Sequence, residues 1–223
     1  MGYLHDGHLS LLKYSKEKAD VSIVSIFVNP TQFSPTEDLS KYPRNIQRDQ
    51  ELLEKNGCDI LFFPDAEEIY PKNFQTYVEV EKITSLLEGE IRQTHFKGVT
   101  TVVAILFNAV KPHYAFFGQK DAQQAAVIKQ MVSDLKMDLK IVVCPIVREA
   151  DGLAMSSRNV YLSGSERADA TQLNRTLIFA KGMVENGERD VKKIIEESKQ
   201  LVTNIDSANL DYFSIVDADT LDR

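Results

Sequence analysis

Four short apolar runs separated by helical patterns constrain this chain more than any other feature. "VSIVSIF" (21–27), "DILFF" (59–63), "YAFFG" (114–118) and "LKIVVCP" (139–145) are rich in β-branched or aromatic residues and bounded by Asn, Pro, Gly or Asp, which marks them as strands. Helical patterns alternate with them at 8–18, at 45–56 ending on Gly57, at 99–110 ending before Pro112, and at 121–136, where Ala125, Ile128, Val132 and Leu135 share one face. Strands that are apolar on both sides must be buried on both sides. The alternation therefore predicts an α/β fold, a Rossmann-like parallel sheet with helices on both faces. In such a sheet the helix at 8–18 should follow a strand, and the sequence has none before it. The expectation is a sheet without its usual first strand, leaving two neighbouring strands with unpaired edges, in a chain truncated at both ends.

From Val147 the texture changes. A turn-rich stretch, "VREADGLAMSSRNVYLS", leads into a helix capped by Ser163 or Ser165 and running to Gly187, then a helix near 190–204 and a strand, "LDYFSIVDA" (210–218). The expected organisation is a Rossmann-like domain over 1–146 and a smaller, incomplete α+β domain over 147–223.

The net charge of −7 supplies no general field for nucleic acid or an anionic membrane surface, so an anionic ligand needs a local site. No apolar run approaches the roughly 18–20 residues of a membrane span, and the opening residues lack a secretion signal, so a cytoplasmic address is expected. Cys58 and Cys144 lie far apart beside apolar runs and read as buried free thiols. His95 and His113 fit no metal-ligand spacing, and no metal site is expected. Asp49 and Gln47 are not assigned to metal either.

In an open parallel sheet, ligands bind at the C-terminal ends of the strands, in the loops that feed the next helices. The polar segments there are "MGYLHDGH", "NPTQF" and "GQKD", with "AMSSRN" beyond the last strand. In "HDGH", Gly7 allows close backbone approach, and the positive end of a helix favours phosphate while disfavouring imidazolium. Neutral His5 and His8 could then donate to a phosphoryl group as it gains charge. Lys120 offers a point charge for phosphate, Asp121 an acceptor for ribose hydroxyls, Ser156, Ser157 and Arg158 a polyphosphate-binding loop, and Gln32 a partner for a polar substrate. Each segment taken singly also reads as an ordinary helix cap or surface turn. The patterns G-x-x-x-x-G-K-[ST], G-x-G-x-x-G and G-x-S-x-G are absent, which disfavours P-loop NTPases, ordinary dehydrogenases and acyl hydrolases.

Taken together, "HDGH" and "MSSR" resemble the HIGH and KMSKS signatures of the nucleotidylyltransferase and class I aminoacyl-tRNA synthetase superfamily. With "SIFVNPTQF", "YPR", "THFKGVTTVV", "FFGQKD" and "VREADGLAMSSRN" in that order, the chain resembles the pantoate–beta-alanine ligases over almost its whole length. The resemblance implies condensation of pantoate with beta-alanine through a pantoyl adenylate, releasing AMP and pyrophosphate, with ATP as substrate and Mg2+ carried by the nucleotide. It implies an ATP site containing Met1, Gly2, His5, Gly7, His8, Gly118, Lys120, Asp121, Val147, Met155, Ser156, Ser157 and Arg158. Within it His8, His5 and Lys120 are catalytic, and Gln32 and Gln124 hold pantoate. It also implies a homodimer and a 147–223 domain that acts as a lid. Gln119 stands where the family more often has Glu. Two rival readings are a nucleotidylyltransferase of the same superfamily and a non-catalytic ATP-binding fragment.

Overall fold

A computed structural model describes residues 2–35 and 37–223. The chain divides into two compact units, Met1–Ile146 and Val147–Arg223.

In the first unit the order is α1 (Asp6–Lys16), β1 (Ile23–Ser25), α2 (Ile46–Lys55), β2 (Ile60–Phe62), α3 (Ala66–Ile69), α4 (Glu88–Ile91), α5 (His95–Val110), β3 (Tyr114–Gly118), α6 (Ala122–Asp134) and β4 (Lys140–Cys144). All four expected strands form, each inside its expected range. β1 pairs with β2 in parallel, with Ile23 opposite Ile60, and β3 pairs with β4 in parallel from Tyr114–Lys140 to Gly118–Cys144. The ladders are two separate parallel pairs among the described residues. Parallel strands cannot be joined by a tight turn, so every connection crosses through helix.

Apolar side chains of α1 and α2 meet under the first pair, where Leu4, Leu12, Ile26 and Leu53 form a buried cluster with Val24 and Leu61 against it. On its other side α1 packs along β3 and β4. The same helix therefore contacts elements of both strand pairs. α5 is the most deeply buried helix, with Phe96 and Val99–Ala104 out of solvent, and it packs on α6 through an apolar stripe that includes Val127, Ile128 and Met131. It starts four residues earlier than the pattern 99–110 predicts, and Phe96 in that added turn is buried.

In the second unit a tight turn leads to a 3-10 turn at Ser157–Tyr161, followed by α7 (Gly164–Asp169), α8 (Gln172–Glu185) and α9 (Val191–Thr203), the last two packed together. Ser163 caps α7, and its side chain accepts from Glu166 N while the Glu166 carboxylate accepts from Ser163 N at 2.8 Å. The single helix expected from 163 or 165 to 187 is two helices. At the break the Thr171 hydroxyl donates to the Ala168 carbonyl at 2.7 Å. Residues 210–218, expected as a strand, find no ladder partner. The β content of this unit is one isolated antiparallel bridge, Arg148–Ala154, among the described residues.

Candidate functional site

The segment before α1 is fixed by a buried carboxylate from another helix. Asp49, on α2 and 1% exposed, accepts from Tyr3 N at 2.6 Å and Leu4 N at 2.7 Å. Arg48 donates to the same carboxylate at 3.2 Å and lies 4.8 Å above the Tyr3 ring. Tyr3 adopts φ of 54°, an unfavourable conformation for a residue with a side chain, and these contacts hold it there. Leu4 enters the core, so the chain reaches His5 with little freedom. Gly2 lies close by: a Cβ there would stand 3.3 Å from Ile26 and 3.5 Å from Asp49. Met1 lies outside the described residues.

His5 is the N-cap of α1, Gly7 its second residue and His8 its third. The two imidazoles lie 3.9 Å apart between centroids. His5 N donates to His8 Nδ1 at 3.3 Å, which assigns the proton of neutral His8 to Nε2 and makes that nitrogen the donor. Burial, the neighbouring His5 and Lys120 push the His8 pKa down to about 3. Burial, followed by Lys120, also lowers that of His5. Both rings are therefore uncharged at neutral pH. His5 Nδ1 is buried without a full hydrogen bond, and the His5 and His8 side chains close a capping box over the first turn of α1.

After β3, Gly118 leads into a 3-10 turn of Gln119, Lys120 and Asp121 that opens α6. Lys120 and Asp121 are exposed and pair at 3.2 Å. A Cβ on Gly118 would meet only Lys120 N, at 4.0 Å, and its φ is −82°. Among the described residues nothing else lies within 4 Å of that position.

Gln32 ends the 3-10 turn Pro30–Gln32 after β1 and is buried, and its side-chain amide makes no hydrogen bond among the described residues. On α6 the adjacent glutamines differ. Gln123 is committed to structure, donating to the Ile83 and Leu86 carbonyls at 2.9 and 2.7 Å and accepting from Glu88 N at 3.1 Å. Gln124 is half-buried and has no such bonds.

In the second unit, Met155 N donates to the Val147 carbonyl at 3.0 Å across the turn centred on Gly152, whose φ is 95°. Met155 thus sits beside Val147. Ser156 caps the following 3-10 turn by accepting from Arg158 N at 3.2 Å, and Ser157 is buried. The structure thus gathers His5, His8, Lys120 and Asp121 around one helix start, and Val147 with Met155–Arg158 in one segment of the other unit.

Four residues at the site escape the sequence reading as contributors to it. Asp49 carries a faint signal as the one carboxylate on the apolar stripe Ile46, Asp49, Leu53 of its helix. Asn29 is 1% exposed and bonds Gly98 O, Thr31 and Tyr70. Arg92 and His95 both reach the Gln32 carbonyl, and only the fold reveals it.

Parallel strands joined through helices, with HxGH at the start of the first helix, define an α/β protein of the nucleotidylyltransferase type. The sequence model of the family Pantoate-beta-alanine ligase matches residues 1–223. Pantothenate synthetases of Caldicellulosiruptor bescii and Thermotoga petrophila are each 55% identical over 222 residues, covering 100% of this chain and 79% of each relative. A crystal structure of pantothenate synthetase from Thermus thermophilus superposes with a TM-score of 0.97 at 44% identity, covering 99% of this chain and 80% of that one. The ligase of Francisella tularensis, solved with beta-gamma ATP and beta-alanine, gives a TM-score of 0.78 at 37% identity, over 91% of this chain and 76% of its own. The chain belongs to the pantoate-beta-alanine ligase family.

Proposed function

We propose that this ligase condenses pantoate with beta-alanine in two half-reactions on ATP. In the first, a pantoate carboxylate oxygen attacks the α-phosphorus, the bond to the bridging oxygen breaks, and pyrophosphate leaves. In the second, the neutral amine of beta-alanine attacks the acyl carbon of the pantoyl adenylate, AMP leaves, and the nitrogen loses a proton. Such transfers need positioning and charge stabilisation more than covalent help from the protein.

The observation that carries the reading is the uncharged His8, with its Nε2–H as donor at a helix start and Lys120 close enough to depress its pKa. Such a donor gains strength as the phosphoryl oxygens take on negative charge, and a buried neutral ring costs little before that moment. His8 thereby stabilises the transferring phosphoryl group, His5 assists it, and Lys120 neutralises phosphate. Gly118 and Asp121 hold ribose, Gly2 and Gly7 let the nucleotide approach the loop, and Gln32 and Gln124 hold pantoate. Roles for Met1, for Val147 against adenine and for Met155, Ser156, Ser157 and Arg158 on the triphosphate rest on the family resemblance. So do Mg2+ arriving on the nucleotide, a lid role for residues 147–223, homodimerisation and a cytoplasmic address.

The test is exchange of labelled pyrophosphate into ATP. Exchange that requires pantoate, followed by AMP release on adding beta-alanine, is the expected result. ATP binding without pantoate-dependent exchange would overturn it in favour of a non-catalytic module, and a product that retains the nucleotide would point to a nucleotidylyltransferase.

A further inference from the structure

The motif "THFKGV" finds no place among the residues proposed to touch substrate, yet the start of α5 grips the turn that presents Gln32. Three contacts dock that turn. Asn29 Nδ2 donates to Gly98 O at 3.0 Å, while its Oδ1 accepts from the Thr31 hydroxyl and the Tyr70 hydroxyl, both at 2.9 Å. At Gly98 a Cβ would lie 2.5 Å from the Thr31 carbonyl oxygen, so only glycine allows the turn to sit this close on the helix. The Gln32 carbonyl then accepts from His95 Nδ1 at 3.0 Å and from Arg92 Nη2 at 3.2 Å, filling both of its lone pairs.

The donor roles agree with one another. With the His95 proton on Nδ1, its Nε2 is an acceptor, and Arg92 Nη1 faces it at 3.5 Å as donor. Arg92 is itself oriented by Glu37, which takes both its Nε, at 3.2 Å, and its Nη2. The main chain of Gln32 is thus held from several sides, while its side-chain amide makes no hydrogen bond to the protein among the described residues. A backbone fixed this firmly under an uncommitted amide is the arrangement expected of a recognition group, since misplacement by about 1 Å can cost about 100-fold in rate.

We infer that His95 and Arg92 are positioning residues for pantoate recognition, acting through the Gln32 carbonyl. The inference rests on the assignment of Gln32 to pantoate. His95→Ala should raise the KM for pantoate by about 10-fold and leave the KM for ATP within about twofold. His95→Asn, whose amide nitrogen falls where Nδ1 lies, should restore most of the pantoate KM. In a Gln32→Ala background, His95→Ala should add less than about twofold, because its target is already gone.

Circular dichroism and melting of each variant check that it is folded. A pantoate KM unchanged by His95→Ala would overturn the inference. So would pantoate and ATP constants that rise together without rescue by His95→Asn, or effects of the two alanine variants that multiply. Gln32→Ala with an unchanged pantoate KM would instead remove the substrate assignment itself, and the positioning role with it.

Discussion

His8 should leave a measurable mark on the pH dependence of stability. Its ordinary pKa of 6.5 falls to about 3 in the folded chain, first through burial and then through His5 and Lys120. A depressed histidine pKa means the unfolded chain takes up the proton first, so the folded state loses ground as pH falls from about 6.5 towards about 3. At pH 5 an unfolded His8 is almost wholly protonated and a folded one is not. The difference relative to pH 7 is about 2 kcal/mol. The assay is urea unfolding of the wild type and His8→Gln at pH 7 and pH 5. His5 and His95, whose pKa values burial also lowers, give both proteins a common loss on acidification. The wild type should lose about 2 kcal/mol more than the variant. Equal losses in the two proteins, within about 0.5 kcal/mol, would refute the argument that His8 is held neutral by its surroundings.

Asp49→Ala strands two main-chain N–H groups and should cost about 2–4 kcal/mol in urea unfolding, together with a large rise in the KM for ATP as the segment before His5 loosens. Gly98→Ala should destabilise by about 1–3 kcal/mol because its Cβ meets the Thr31 backbone, whereas Gly164→Ala, with nothing within 4 Å, should be neutral or stabilising by up to about 1 kcal/mol; differential scanning calorimetry separates them. His8→Ala and Lys120→Ala should each slow adenylate formation by about 100- to 1,000-fold in single-turnover experiments, and rates near wild type would count against both roles.

What the sequence discloses here is whatever local periodicity encodes. The runs around Val24, Leu61, Phe116 and Val142 are apolar on successive residues, and each became a parallel strand. Ala125 and Ile128 share the face of α6 that is buried. Residues 210–218 are rich in aromatic and β-branched residues, yet a strand exists only through a partner, which composition cannot supply. The break between Asp169 and Gln172 falls inside a stretch whose helical spacing continues across it, so spacing does not reveal it. The HxGH and "GQKD" segments stand out because short polar motifs at helix starts carry their chemistry locally. Asp49, Asn29, Arg92 and His95 act on residues 45, 69, 60 and 63 positions away, and no local pattern marks such pairs.

The two strand pairs are short, and a two-stranded ladder in water is barely stable alone. α1 works as a tie beam between them: Leu12 is seated in the cluster of the first pair, and the helix lies along the second. The end of that beam carries His5 and His8. A nucleotide bound there would brace the whole first unit rather than one loop, so occupancy and resistance to unfolding should rise together.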